Sequence, residues 1–178
     1  VVIDEAYIDF SLEESWTSKL AKYPNLIITQ TLSKAYGMAG IRLGICLASA
    51  EIIAVINKIK PPYNVNQLTQ ERAIQRVSDE KSVQAEVATI LEERAKLINT
   101  LETVSFVSKI YPTDANFILA KVDNATLRYN QLLKKGIVVR NRTTQPLCEN
   151  TLRFTVGTTK ENNIVITALK ALSNEYGK

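Results

Sequence analysis

The sequence predicts an α/β fold: a mostly parallel sheet in its first third, then connecting helices, then a smaller α+β domain. Three observations lead there. VVI at 1–3 and LIIT at 26–29 are short continuous apolar runs, the pattern of parallel strands covered on both faces. The segment between them reads as a crossover helix, which makes a strand–helix–strand unit. After about residue 103, short alternating runs intermingle with helical stripes, as in an α+β lobe.

The elements follow in order. In SLEESWTSKLAKYPN, residues 11–25, Ser11 and Glu14 have capping-box spacing, and Leu12, Trp16 and Leu20 recur at fours. Pro24 and Asn25 end that stretch. LGICLA at 43–48 reads as a further strand, and AEIIAVINKIK at 50–60 as a helix stopped by Pro61 and Pro62. Residues 66–77 and 81–102 read as two helices broken at Ser78–Asp79. Val83, Val87, Ile90, Leu97 and Leu101 form the stripe of the second. Strands are expected at 105–111, 116–122, 137–140 and 151–156, and helices at 125–135 and 160–175. Thr158 and Glu161 have capping-box spacing for the last helix. The expected division is 1–64, part of a large domain; 65–103, connecting helices; and 104–178, the small domain. No internal repeat or low-complexity linker is present.

Ligands of parallel α/β sheets bind outside the carboxyl ends of the strands. Asp4 closes the first apolar run, and Lys34 lies in the loop after the second. Arg42 follows among Gly37, Gly40 and Gly44. Each has an ordinary explanation when taken singly: a turn residue, a solvated lysine, glycines marking turns. Together, at strand ends and in this order, they match the polar demands of pyridoxal phosphate. Its ring nitrogen needs an anion, its aldehyde an amine and its phosphate a cation. The stretch is not a Walker A loop, because the lysine precedes its glycines.

DEAY at 4–7 followed by TLSKAYGMAGIRLG at 31–44 resembles the fold-type I pyridoxal-phosphate aminotransferases, most closely the histidinol-phosphate aminotransferase family. The resemblance implies that Lys34 bonds the cofactor aldehyde, Asp4 pairs with the ring nitrogen, and Tyr7 hydrogen-bonds the phenolic oxygen. Thr31, Ser33 and Arg42 are implied to hold the phosphate. KKGIVVRNR at 134–142 and NTLRFTVGTTKEN at 150–162 resemble the small domain of the same family. Leu152, Phe154 and Val156 share one face of an alternating strand, which leaves Arg153 on the other. The resemblance makes Arg153 a fork for a substrate carboxylate, a pairing that suits its planar guanidinium. It makes Arg140, with Arg142 as the alternative, a ligand of the substrate phosphate, and it places Asn116 near the substrate.

The implied reaction is transamination between histidinol phosphate and the 2-oxoglutarate/glutamate couple, in histidine biosynthesis. The implied partners are an amine bearing a phosphate, a 2-oxo acid and a second copy of the chain, in a cytoplasmic homodimer. Amino-acid phosphate decarboxylases of the same fold, and non-catalytic aminotransferase-like domains, are the alternatives. The retention of Asp4, Lys34 and Arg42 together speaks against the second. The resemblance covers the later half of the family. Its upstream glycine-rich phosphate loop, ring-stacking aromatic and cofactor asparagine are not in these 178 residues, so the chain reads as a fragment expected to be inactive by itself.

Composition adds exclusions. The hydrophobic share of 46% and charged share of 22% are ordinary for a globular protein. The net charge of +4 is dispersed in small pairs, so no nucleic-acid face is expected. No apolar run approaches the ~20 residues of a membrane span. The chain has no histidine, which removes Ser-His, Cys-His and histidine–metal chemistry, and no carboxylate cluster suggests a metal. Cys46 and Cys148 are expected to be free thiols of a reducing compartment.

Overall fold

The computed structural model describes residues 1–176, which form two compact units, residues 1–87 and the chain from 88 onward. The first unit holds β1 (Val2–Asp4), β2 (Ile27–Thr31), β3 (Gly44–Ala48), α1 (Ala50–Ile59) and α2 (Gln67–Val77). The long helix α3 (Glu80–Leu101) begins in the first unit and continues into the second. The second unit adds β4 (Val107–Ile110), β5 (Phe117–Val122), α4 (Ala125–Lys134), β6 (Arg140–Asn141), β7 (Thr151–Thr155) and α5 (Thr159–Tyr176).

The first sheet has the order β1-β2-β3. β1 and β2 are parallel as expected, with Asp4 opposite Thr29. β3 runs antiparallel to β2, with Thr31 opposite Gly44. Residues 32–43 contain one short 3-10 turn, Ala39–Ile41, and no crossover helix, so the chain doubles back. β1 is an edge strand and Val2 is exposed, so burial on both faces does not extend to it. Phe10, Leu26 and Ile28 are the buried centre of this unit, and a smaller cluster joins Leu32, Met38 and Ala73.

The expected helix over 11–25 is absent. A short 3-10 turn, Trp16–Lys19, occurs there, after another at Ile8–Phe10, and Leu12 is 95% exposed. The cause is a competing buried acceptor. The Glu5 carboxylate takes the Ser15 hydroxyl at 2.6 Å and the Trp16 amide at 2.7 Å, which bends the segment back towards β1. Ser11 accepts from the Glu13 amide, a local turn rather than a capping box.

The second sheet has the order β4-β5-β7-β6, with every neighbouring pair antiparallel. Leu152 and Phe154 of β7, Ile118 and Ala120 of β5, Leu97 and Leu101 of α3, Leu132 of α4 and Leu169 of α5 share one core. Helices α1 to α5 lie within a residue or two of their sequence-based limits, and Thr158 and Glu161 make the expected capping box. The expected strand at 137–140 begins only at Arg140. Gly136, at φ +78°, turns the chain at the end of α4, and the Ile137 amide is taken by the Leu132 carbonyl at 3.0 Å. Ile137 therefore closes a helix instead of joining a ladder.

Candidate active site

In the first unit, three sequence-predicted residues gather at the carboxyl ends of β1 and β2. Asp4 ends β1. One of its oxygens accepts from the Ala6 amide at 3.0 Å and the Thr29 hydroxyl at 3.3 Å. These bonds fix the carboxylate at the strand end while the residue stays exposed. Lys34 stands three residues past β2, half-buried, with its Nζ 5.2 Å from the centroid of the Tyr7 ring. The ion pairs of the described residues are Arg76–Glu86, Lys96–Glu93 and Arg128–Asp123, so Asp4, Lys34 and Arg42 take part in none.

The loop of Lys34 is braced from within. The Lys34 carbonyl accepts from the Gly37 amide at 3.0 Å, and the Leu32 carbonyl from the Met38 amide at 2.9 Å. Gly37 sits at φ +68°, a conformation that glycine adopts without strain. The Thr31 hydroxyl faces the Ser33 hydroxyl at 2.9 Å and the Leu43 carbonyl at 3.3 Å, and it accepts from the Ser33 amide. Thr31 is thus engaged in holding the loop. Ser33 can accept from Thr31 and keep its own proton for a ligand.

Arg42 adopts φ +55°, a left-handed backbone unusual for a residue with a side chain. It is exposed, and its Nη1 donates to the Ala39 carbonyl at 3.1 Å, leaving its other donors available. An unpaired anion, an unpaired amine and an unpaired guanidinium, with Ser33 beside the amine, fit the donor set that pyridoxal phosphate requires.

Two supports of this site carry no sequence signal. Glu5 is 6% exposed and accepts from Ser15, the Trp16 amide and Gln30, the last at 2.9 Å. Burial works against its charge, but the hydrogen bonds from Ser15, Gln30 and Trp16 outweigh it and hold the carboxyl below the ordinary range. It ties the DEAY turn to β2 and to the 11–19 segment. The second support is Arg76 on α2, whose Nε donates to the Tyr36 carbonyl.

The second unit carries the other predicted group. Arg140 and Arg153 are direct cross-strand partners on β6 and β7. Both line a cavity of about 570 Å³, together with Tyr129, Asn141 and Thr155. The Arg153 guanidinium lies 4.9 Å from the Phe117 ring centroid, and its Nε is buried without a hydrogen-bond partner. Stacking on Phe117 keeps the fork in place while the buried N–H stays unsatisfied. Asn116 does not line this cavity; it precedes Phe117, and its carbonyl accepts from the Val156 amide. Phe117 had no signal beyond its place on an alternating strand. Arg142 lies outside the cavity wall and pairs its amide with the Thr151 carbonyl. Cys46 and Cys148 are free thiols.

The chain is 66% identical over 173 residues to the histidinol-phosphate aminotransferase of Flavobacterium johnsoniae, covering 97% of this chain and 50% of that protein. The structure of histidinol-phosphate aminotransferase from Clostridium acetobutylicum superposes with a TM-score of 0.90 at 29% identity, over 98% of this chain and 54% of that one. A decarboxylase from Sulfurospirillum multivorans matches with a TM-score of 0.85 at 28% identity, over 96% of this chain and 52% of that one. The chain spans about half the length of the curated relatives it matches. Residues 1–169 match the profile of the aminotransferase class I and II family, and the chain belongs to that family.

Proposed function

We propose that this chain carries the lysine-bearing part of a pyridoxal-phosphate-dependent aminotransferase that acts on histidinol phosphate, with a 2-oxo acid, 2-oxoglutarate, as acceptor. The observation that carries this reading is the set of unpaired charges at the strand ends: Asp4, Lys34 and Arg42, beside Ser33 and Tyr7. Pyridoxal phosphate, when bound, supplies an electron sink for the carbon next to the substrate nitrogen. Asp4 would hold the proton of the ring nitrogen, and its bonds from Ala6 and Thr29 orient it for that task. Lys34 would hold the aldehyde carbon. Its Nζ is also the proton carrier, taking a proton and returning it as general base and acid. Tyr7 would contact the phenolic oxygen, and Ser33 and Arg42 the phosphate, with Thr31 bracing their loop.

In the second unit, Arg153 would bind a substrate carboxylate and Arg140 the substrate phosphate. Two opposed arginines repel each other across a ladder, and an anion between them reverses that cost. Asn116, next to the Phe117 ring on which Arg153 lies, would sit near the substrate in the same reading. A cytoplasmic homodimer belongs to the same reading, supported by the motif resemblance. No helix among the described residues is long and apolar enough to cross a membrane.

The similarity to a decarboxylase supports a second reading with the same cofactor residues and a different fate for the carboxylate. One experiment separates them. Full-length protein is given pyridoxal phosphate and histidinol phosphate with 2-oxoglutarate, or an amino-acid phosphate alone. Glutamate formation in the first mixture supports transamination. Carbon dioxide release in the second, with no glutamate in the first, replaces it with decarboxylation.

A further inference from the structure

The turn that begins at Lys34 leaves the Tyr36 carbonyl out of its internal bonding. The Gly37 and Met38 amides go to the Lys34 and Leu32 carbonyls, which leaves the Tyr36 carbonyl without a partner in the turn. Arg76 supplies it. Its Nε donates to the Tyr36 carbonyl at 3.0 Å from 40 residues further along the chain. The guanidinium is held in turn by Glu86 in the second turn of α3. Its side chain is only 17% exposed. This is therefore a partly desolvated charge-assisted bond and not a loose surface pair.

The same face of α2 grips the turn a second time. Ala73, one helical turn before Arg76, is buried in a cluster with Leu32 and Met38, against which Tyr36, Ile41 and Leu43 pack. The apolar contact places α2 on the turn. The polar contact sets the position of the peptide between Tyr36 and Gly37. A lysine that must both bond an aldehyde and move a proton depends on sub-ångström placement, and a shift of about 1 Å at such a group costs on the order of 10²-fold in rate.

We propose that Arg76 is a positioning residue for Lys34, acting through the Tyr36 carbonyl and itself set by Glu86. The proposal rests on the reading of Lys34 as the reacting amine. It assigns α2 a task beyond packing, since its Arg76 side chain is the polar tie between that helix and the lysine turn.

The test uses full-length holoenzyme and compares Arg76→Ala, Arg76→Lys and Glu86→Gln by hydrogen exchange and by kinetics. Arg76→Ala should speed exchange of the Gly37 and Met38 amides by about tenfold, the order expected from loss of one charge-assisted bond. Its kcat should fall by about tenfold to 10²-fold with little change in KM. Arg76→Lys, which keeps a donor for the carbonyl, should recover most of both. Unchanged exchange at Gly37 and Met38 in Arg76→Ala overturns the proposal, and so does a loss that Arg76→Lys shares in full. Should Arg76→Ala fail to fold, Glu86→Gln decides: exchange faster by a few-fold supports the tether, and wild-type exchange overturns it. The underlying reading fails separately, because borohydride would then still trap cofactor on Lys34→Ala while the Gly37 exchange continues to report on Arg76.

Discussion

Arg140 and Arg153 face each other directly across the β6–β7 ladder, and neither has an ion-pair partner among the described residues. Paired cations at this spacing repel, and the buried Arg153 Nε adds an unsatisfied donor. The arrangement stores a demand for a ligand with more than one negative charge.

The two arginines should therefore separate substrates by charge. Arg153→Ala weakens amino-acid substrates broadly, and Arg140→Ala weakens phosphorylated ones selectively. Each loss of a charged bond costs about 2 kcal/mol or more in transition-state binding. Kinetics of the full-length protein with phosphorylated and unphosphorylated amines provide the check. Equal losses for both in Arg140→Ala would remove its phosphate role.

Lys34→Ala should end covalent capture of the cofactor. Borohydride reduction of the full-length wild type, followed by peptide mapping, should label Lys34, and the variant should take no label. Label on another lysine would assign the amine elsewhere.

Stability should depend on acid through Glu93. This carboxylate, 2% exposed, accepts from Lys96 at 2.7 Å, Asn162 at 3.0 Å and Thr159 at 3.1 Å, joining α3 to the start of α5. The Lys96 and Asn162 bonds, helped by Thr159 and opposed by burial, hold its carboxyl below the ordinary value of 4.5. A carboxylate depressed in the folded state contributes fully above the unfolded value and loses that contribution as pH falls through the folded one. Glu93→Gln should lose about 1–3 kcal/mol near neutral pH and show a flatter stability profile below about pH 4.5. Denaturant midpoints of both proteins near neutrality and near pH ~3 test it. Parallel profiles would show that Glu93 does not carry the acid dependence.

Leu152 is fully buried at the centre of the second sheet. Leu152→Ala should cost about 2–5 kcal/mol, the range for a leucine truncated in a packed core. A thermal midpoint within a degree or two of wild type would mean that the site collapses around the gap.

The helices were legible because each presents a stripe that finds a core, as with Leu97 and Leu101 of α3. The stretch 11–25 has a stripe too, yet its fate was decided by Glu5, a residue outside it. Periodicity records what a segment offers and not which distant acceptor takes its amides. The lysine turn was legible as a motif: Asp4 and Lys34 do lie at or past neighbouring strand ends, with Tyr7 beside the amine. Its supports were not legible. Glu5 with Gln30 and Arg76 with Tyr36 are polar pairs spanning 25 and 40 residues, and a single polar partner has no period to betray it.

The left-handed backbone of Arg42 constrains how this position can vary. A change there is screened twice, once by the torsion and once by the charge. Asparagine and glycine satisfy the first test and fail the second. Valine and isoleucine fail both, because β-branching is worst tolerated at positive φ. Lysine keeps a cation while surrendering the planar fork and accepting the same strain. A saturation library at position 42 should therefore sort into a group limited by folding yield and a group limited by cofactor affinity, and expression level alone will not rank its members.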